Sequence, residues 1–449
     1  MNIFFIIYTF GFLFLAIYSL FNWEMALYIF FVLIQFTGFL KRFIFQFGMT
    51  NFEYNFLVAV QYVFILVLIS VCLKENFKCK LSNNFFIFWL VVMMLLFFLS
   101  IVFSPFGLFV SMSLFMLQYF SIFFLIPGFF LSKSYLFKIL KMLVYTAPIH
   151  AVYEIQQFLF GPFNFEINFM NNKSAIIDSG QGDFFRGIPL YDNVEPLYIH
   201  YCICILFILS FKQLSFKNIF LISIIFIAVI LMGNRSGILL LLLGLLIWLF
   251  LKAKFINKKI ILFVFSLIML ASLNVFSYLF YDLIDDIGYN FNVGDTDFSQ
   301  RLGTLGTFSD RIIGRQNAFD NLSILGLGMG SSGLGLSVLA NKGLGFSKVN
   351  HSLFAHDLIG ELLLDIGIIG ALVFVSIFFY IIYYFKYDSL NNIFMATVLS
   401  SLLLGSLLGG SLTYGRAGFY VFFFLGILFQ LKKFNFFNNV KIKNSNFSY

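Results

Sequence analysis

Phe85-Phe-Ile-Phe-Trp-Leu-Val-Val-Met-Met-Leu-Leu-Phe-Phe-Leu-Ser-Ile-Val-Phe103 carries a single hydroxyl, that of Ser100, and no charge. A helix needs about 20 apolar residues to cross the hydrocarbon core of a bilayer, ~30 Å thick. The stretch has neither the alternation of a half-buried strand nor the polar face of a surface helix. It reads as a transmembrane helix. Working outward from it, similar runs recur near 3–20, 25–40, 56–73, 112–131, 136–160, 196–211, 217–233, 236–251, 260–280, 367–385, 391–412 and 417–430, thirteen candidates with the quoted one. Several are short and have ill-defined ends. The expected fold is all-α: a polytopic integral membrane protein of about 12–13 transmembrane helices. It forms one membrane domain over 1–433, with outward loops at about 161–195 and 281–355. Residues 434–449 form a solvated cytoplasmic tail.

Composition agrees. Of 449 residues, 61% are hydrophobic, 21% aromatic and 11% charged, with 70 Phe, and the mean hydropathy is +0.97. Soluble domains carry about 25% charged residues, so a soluble enzyme, a secreted disulfide scaffold and a disordered chain are all excluded. The net charge of +8 sits in short loops between apolar runs and does not indicate nucleic-acid binding. Cys72 and Cys79 flank a short loop, and Cys202 and Cys204 lie in an apolar run. Neither a disulfide framework nor a metal-binding spacing results. The first run lacks a basic leader and a small-residue cleavage site, and is read as a retained span.

Lys and Arg in short loops mark the cytoplasmic side. Lys212 to Lys217, Lys133 to Lys141, Lys252 to Lys259, and the tail with Lys432, Lys433, Lys441 and Lys443 all belong there. The loops at 161–195, 233–236, 281–355 and 413–418 then face outward. Near the front, Lys41–Arg42 and Lys74, Lys78 and Lys80 are separated by one run. They conflict as topological signals, which leaves the orientation of the first three spans open.

The second outward loop is rich in glycine (Leu325-Gly-Leu-Gly-Met-Gly-Ser-Ser-Gly-Leu-Gly335). Its stretch Ser309 to Leu325 is expected to form a helix lying at the membrane surface. Ser309 or Asp310 would cap it, and Ile312, Ile313, Phe319 and Leu322 would supply its apolar face.

In this orientation Arg186, Arg235, Arg311, Arg315 and Arg416 face outward, with Arg301 a sixth. Guanidinium forks bind phosphate bidentately and stay charged, so the cluster points to an anionic ligand such as a lipid pyrophosphate. Arg235, in Gly-Asn-Arg-Ser-Gly between two apolar runs, is the sharpest candidate. The alternative is an interfacial Arg snorkelling to headgroups. Of four His, His351 and His356 precede the eleventh run and are candidate general bases, against a plain water-exposed role. His356-Asp357 leads into Glu361, Asp365, Gly367 and Gly370. His150 and Glu154, spaced i, i+4 in one apolar run, can pair, a pairing read as structural more readily than catalytic. His200 suits a hydrogen bond inside the bundle. There is no zinc, Ser–His–Asp or P-loop pattern, and Asp282, Asp285, Asp286, Asp295 and Asp297 lack EF-hand spacing. Neither a metal nor a cofactor is expected.

Four patches resemble the O-antigen ligase and polymerase superfamily of bacterial cell-surface polysaccharide assembly. The first is the run from His356 to Gly370, similar to the family's His-Asn run ending in an acidic residue, Gly and a second Gly. Asp357 stands where Asn is usual, and Asp365 where Glu is usual. The second is Ser309-Asp-Arg311 followed by Gly326, Gly328 and Gly330, where Arg315 replaces the family's aromatic residue. The third is Asn234-Arg235-Ser236 opening a span. The fourth is Phe185-Arg186-Gly187 with Glu195-Pro196. The resemblance covers roughly residues 184–385.

The resemblance implies metal-independent glycosyl transfer at the periplasmic face of the bacterial inner membrane, from a glycan on undecaprenyl pyrophosphate. Arg235 and Arg311 would hold the pyrophosphate, with Arg186 and Arg315 beside them. His356 would act on the acceptor hydroxyl, with Asp357 next to it. His351 and Arg416 are lesser candidates. Expected partners are the undecaprenyl-pyrophosphate-linked oligosaccharide, membrane lipid and a chain-length regulator. A polymerase is favoured over a ligase acting on lipid A-core or a protein, because the chain is long and its matches are loose. A transporter of lipid-linked oligosaccharide would show repeat symmetry, and none is seen. A non-catalytic scaffold leaves the outward arginines unexplained.

Overall fold

In the computed structural model, the described residues are 3–48, 51–76, 84–172, 189–191, 194–211, 215–231, 235–252, 316, 318–332, 357–383, 389–408 and 415–433. Every regular element among them is helical. These are α1 (Ile3–Ser19), α2 (Trp23–Phe45), α3 (Asn51–Asn76), α4 (Asn84–Val102), α5 (Leu108–Gln118), a 3-10 turn (Phe120–Phe124), α6 (Leu125–Phe130), α7 (Lys133–Phe160), α8 (Asn164–Asn172), α9 (Val194–Phe211), α10 (Phe216–Leu231), α11 (Arg235–Lys252), α12 (Leu358–Tyr383), α13 (Ser389–Leu408) and α14 (Gly415–Lys433).

Twelve of the thirteen apolar runs fall on these helices, and the run at 260–280 lies outside the described residues. Trp23–Phe45, Phe85–Val102 and Leu358–Tyr380 are long and apolar enough to cross a membrane. The pair Leu108–Gln118 and Phe120–Phe130, bent by 52°, makes a fourth candidate. Six further apolar helices are shorter. The chain is an all-α membrane protein.

The structure departs from the sequence reading in four places. The run at 112–131 is broken at Tyr119 into α5 and α6. The eleventh run starts earlier, at Leu358, and is kinked at Gly367 (φ 74°, ψ −174°). The segment after 161, expected as an outward loop, holds a short helix, α8. The surface helix expected to reach Leu325 ends by Asp320, and Leu322 is exposed in the turn beyond it. Its proposed caps, Ser309 and Asp310, and its apolar residues Ile312 and Ile313 lie outside the described residues.

Helix directions follow from paired side chains. α1 and α3 run parallel, since Phe5 meets Phe56, Tyr8 bonds Gln61, and Phe12 meets Phe64. α1 turns back at Leu20–Asn22 into α2, where Asn22 caps by accepting from the Met25 N–H at 2.9 Å. α6 and α14 run parallel and almost touch: Gly128 faces the Phe423 carbonyl, and Gly426 faces that of Leu125. Small residues permit this closeness in membrane bundles. α4 runs antiparallel to α12, tied by Trp89 Nε1 donating to the Val373 carbonyl (2.5 Å) and by the stacked Phe85–Tyr380 rings. α9 and α11 run parallel, through Tyr198 at Gly237, Cys202 at Gly244, and Trp248 Nε1 donating to Ser210 Oγ (2.8 Å).

These directions give the bundle two unlike ends. The Ser132 N–H at the start of α7 donates to Glu24 in the first turn of α2. Lys74, Lys133, Lys138, Lys217, Lys252, Lys432 and Lys433 belong to helix ends on this side. Lys41 and Arg42, by contrast, lie buried near the far end of α2. Of the two basic groups that conflict in the sequence, Lys41–Arg42 and Lys74 therefore sit at opposite ends of the described bundle.

Candidate functional site

The far end is organised around the kink in α12. Gly367 breaks the helical hydrogen-bond ladder, and the segment 323–332 supplies the missing partners. The Ile368 N–H donates to the Ser323 carbonyl (3.1 Å), the Ile369 N–H to Ile324 (3.3 Å), and the Leu327 N–H to Leu364 (2.7 Å). The strap continues to α4, where the Met329 N–H donates to the Ser100 carbonyl (2.9 Å) and Ser104 Oγ to that of Met329 (2.7 Å). Gly326, Gly328 and Gly330 all have positive φ, at 82°, 99° and 93°. A side chain is strained in that region. At Gly328 a Cβ would also stand 2.7 Å from Ser104 Cα.

Asp365 closes the arrangement. Its Oδ1 accepts from the Ser332 N–H (3.0 Å), and its Oδ2 from Tyr119 (2.9 Å) and Ser332 Oγ (3.3 Å). Its carbonyl accepts from Ser100 Oγ (2.6 Å). Asp357, Glu361 and Asp365 recur every fourth residue, on one face of the first half of α12, and all three are buried. Asp357 is the N-cap of α12: its Oδ1 accepts from the N–H groups of Ile359 (3.1 Å) and Gly360 (2.9 Å). The two sequence patches 325–330 and 365–370 are thereby packed on one another.

A second polar region lies where residues 189–191 enter the bundle. The Phe39 N–H donates to the Leu190 carbonyl (3.0 Å), and Arg42 to that of Pro189 (2.6 Å). Arg42 Nε also pairs with Glu166 at 3.0 Å. Glu166 accepts further from Gln157 (2.9 Å), from Tyr153, and from the Phe163 N–H (3.2 Å). This buried pair ties α8 to α2 and α7. Tyr191 is buried against both His150 and His200, whose rings also meet edge to face at 5.3 Å. His200 Nε2 lies 2.6 Å from the Leu143 carbonyl and so carries its proton there, leaving Nδ1 to accept from Tyr191 at 3.0 Å. Tyr420 then donates to Tyr191 at 3.0 Å. His200 is thus a bundle hydrogen-bonder, as expected.

His150 and Glu154 do not pair. His150 Nε2 meets Gln35 Oε1 at 3.3 Å, and Glu154 Oε2 accepts from Tyr201 at 2.9 Å. Neighbouring helices supply closer partners than the next turn of α7 does. His150 Nδ1 and Glu154 Oε1 have no hydrogen-bond partner among the described residues.

The backbone of Arg235 opens α11, and that of Arg416 lies in the first turn of α14. Gly237 packs on Tyr198, which brings the start of α11 against the first turns of α9. Tyr420 packs on Phe31 near the middle of α2, so α14 begins well short of the end of α2. Arg186, Arg311, Arg315, His351 and His356 lie outside the described residues, as does Arg301. Among the described residues no group of His, Cys, Asp and Glu is arranged to hold a metal ion.

Sequence reading missed Ser100, Tyr119 and Ser332, the partners of Asp365. It also took Arg42 for a topology marker. A single hydroxyl in an apolar run gives no sign of its partner, whereas an Arg next to an apolar run with an acidic residue in a facing loop is a detectable pattern. No protein-family model, curated protein or solved structure matches this chain.

Proposed function

We propose that the chain is a surface-polysaccharide polymerase. It would join undecaprenyl-pyrophosphate-linked repeat units at the periplasmic face of a bacterial inner membrane. The observation that carries this reading is the Gly326–Gly367 junction. It packs the glycine turn that follows Arg311 against the helix that follows His356, two patches the family resemblance singles out separately.

In this reading the lysine-bearing end is cytoplasmic, and the end holding the strap and Tyr191 faces outward. The twelve described apolar segments plus 260–280 make thirteen spans, with the start of α1 outward. Arg235 and Arg416 stand at helix starts, where backbone N–H groups add to the attraction for phosphate. An acceptor hydroxyl attacks the anomeric carbon as the bond to the pyrophosphate oxygen breaks. Arg235 and Arg311 stabilise the charge developing on the leaving group, assisted by Arg186 and Arg315. His356 takes the hydroxyl proton. Asp357, as the cap of α12, fixes the helix start next to His356.

The test is glycan profiling of a deletion strain complemented with wild type, Arg235→Ala, Arg311→Ala or His356→Ala. A deletion that leaves core plus one repeat unit supports the polymerase. Bare core with long lipid-linked chains accumulating identifies a ligase instead. Full complementation by all three variants overturns the mechanism.

A second reading has one observation in its favour. Ionisable side chains inside a membrane bundle mark transport pathways, and Glu154 and His150 each keep a buried atom without a hydrogen-bond partner among the described residues. Lipid-linked oligosaccharide translocation by purified protein in vesicles, lost in Glu154→Ala, would favour a transporter.

A further inference from the structure

We propose that the groove between α1 and α2 is a resident lipid site that holds one acyl chain of a membrane phospholipid. The groove has a volume of about 530 Å³, within the ~300–1,000 Å³ of specific small-molecule pockets. Its walls come only from α1 and α2 and are almost wholly apolar. The hydroxyl of Tyr8, on one wall, is taken up by Gln61. The lining on α1 runs from Phe4 to Tyr18, which at 1.5 Å per residue is about 21 Å along the axis. One leaflet of the hydrocarbon core is about 15 Å deep. The groove runs along the α1 axis and is longer than a leaflet is deep.

Gly11 sits on the groove wall, and a Cβ there would meet nothing within 4 Å. The groove is continuous with the exposed apolar face of α1 at Ile3, Phe10 and Ile17. The medium it opens into is lipid, so hydrocarbon enters without crossing a polar barrier. The source of the chain follows from charge. No basic side chain lines the groove. The two cations next along α2, Lys41 and Arg42, are buried and absent from the lining, and Arg42 is engaged by Glu166 and the Pro189 carbonyl. A pyrophosphate-linked isoprenoid would bring two phosphates to a groove lined by no basic side chain, whereas an ordinary phospholipid leaves its headgroup in the interface. The site needs the membrane setting only and is independent of the polymerase reading.

The experiment is mass spectrometry of the full chain purified in mild detergent, with lipid analysis of what it retains. About one phospholipid per chain is expected for wild type and for Gly11→Ala, with at least a tenfold loss of occupancy in Gly11→Leu, whose side chain fills the groove. If Gly11→Leu does not fold, Leu33→Phe fills the groove from α2 and carries the same comparison. A phospholipid bearing a diazirine on its acyl chain should label peptides of α1 and α2 above the rest of the apolar surface. Four results would overturn the proposal: no retained lipid, equal retention by the filled variants, uniform labelling, or recovery of a polyprenyl diphosphate in place of a phospholipid.

Discussion

Gly326 and Gly367 meet backbone to backbone. A Cβ on Gly326 would stand 2.6 Å from the Asp365 carbonyl oxygen and 2.7 Å from the Gly367 nitrogen, and one on Gly367 would stand 2.5 Å from the Ile324 carbonyl oxygen. Both residues also hold positive φ, at 82° and 74°. Gly367→Ala should lower stability by about 1–3 kcal/mol from the backbone conformation alone, and by more from the displaced strap. Gly11→Ala, in open space in the middle of α1, should not lower it and should raise it by about 0.5–1 kcal/mol. Thermal unfolding in detergent compares the two. An unchanged Gly367→Ala would mean that the strap is not docked there.

Asp365 accepts from three donors that have no water to turn to. Asp365→Ala leaves Tyr119 and Ser332 buried without it, at about 1–3 kcal/mol for each unsatisfied group. Tyr119→Phe removes a single bond and should cost about 1 kcal/mol. Under the polymerase reading, Asp365→Ala should also shorten the glycan ladder well beyond what Tyr119→Phe does. Equal ladders in the two variants would separate the strap from activity.

Arg42 and Glu166 form a buried ion pair. Removing one partner strands the other charge, so Arg42→Ala or Glu166→Ala should each destabilise by roughly 3–5 kcal/mol. Arg42→Met with Glu166→Leu should recover most of that loss, because the double change removes both charges of the pair together. A double-mutant cycle on thermal unfolding measures the coupling. Additive effects would show that the pair contributes nothing.

Sidedness can be read from thiol accessibility, with Cys72, Cys79, Cys202 and Cys204 replaced by Ser. Phe21, in the turn between α1 and α2, and Phe163, before α8, are both exposed and lie at opposite ends of the bundle. Phe163→Cys should react with an impermeant maleimide on intact spheroplasts, and Phe21→Cys only after lysis. The reverse pattern would invert the molecule in the membrane and remove the arginines from the periplasmic face.

The membrane helices were the most legible part of the chain. A run such as Phe85–Phe103 has no other stable place, since its backbone must satisfy itself inside lipid. Hence twelve of the thirteen runs coincide with described helices, to within a few residues at most ends. Helix breaks were less legible. Tyr119 interrupts a run whose hydropathy is continuous, and Gly367, read as the start of a run, is a kink inside a longer helix; hydropathy registers side chains, while a break depends on which backbone groups find partners elsewhere. The candidate site was legible as residue types and order. Its described part, the Asp357 cap and the Asp365 clamp, was visible only as two acidic residues in a motif.

The sequence alone determined the class of this protein and its helices, because partition between water and lipid acts on each segment independently. The tertiary structure alone decided that Arg42 belongs to Glu166 and not to a topology signal. It also decided that Tyr191 packs against both histidines of the bundle, and that Gly326 lies on Gly367. Each of those pairings joins residues far apart in the chain, and a hydrogen bond or a missing Cβ acts only over a few ångströms. Such a relationship exists only once the helices have been brought together.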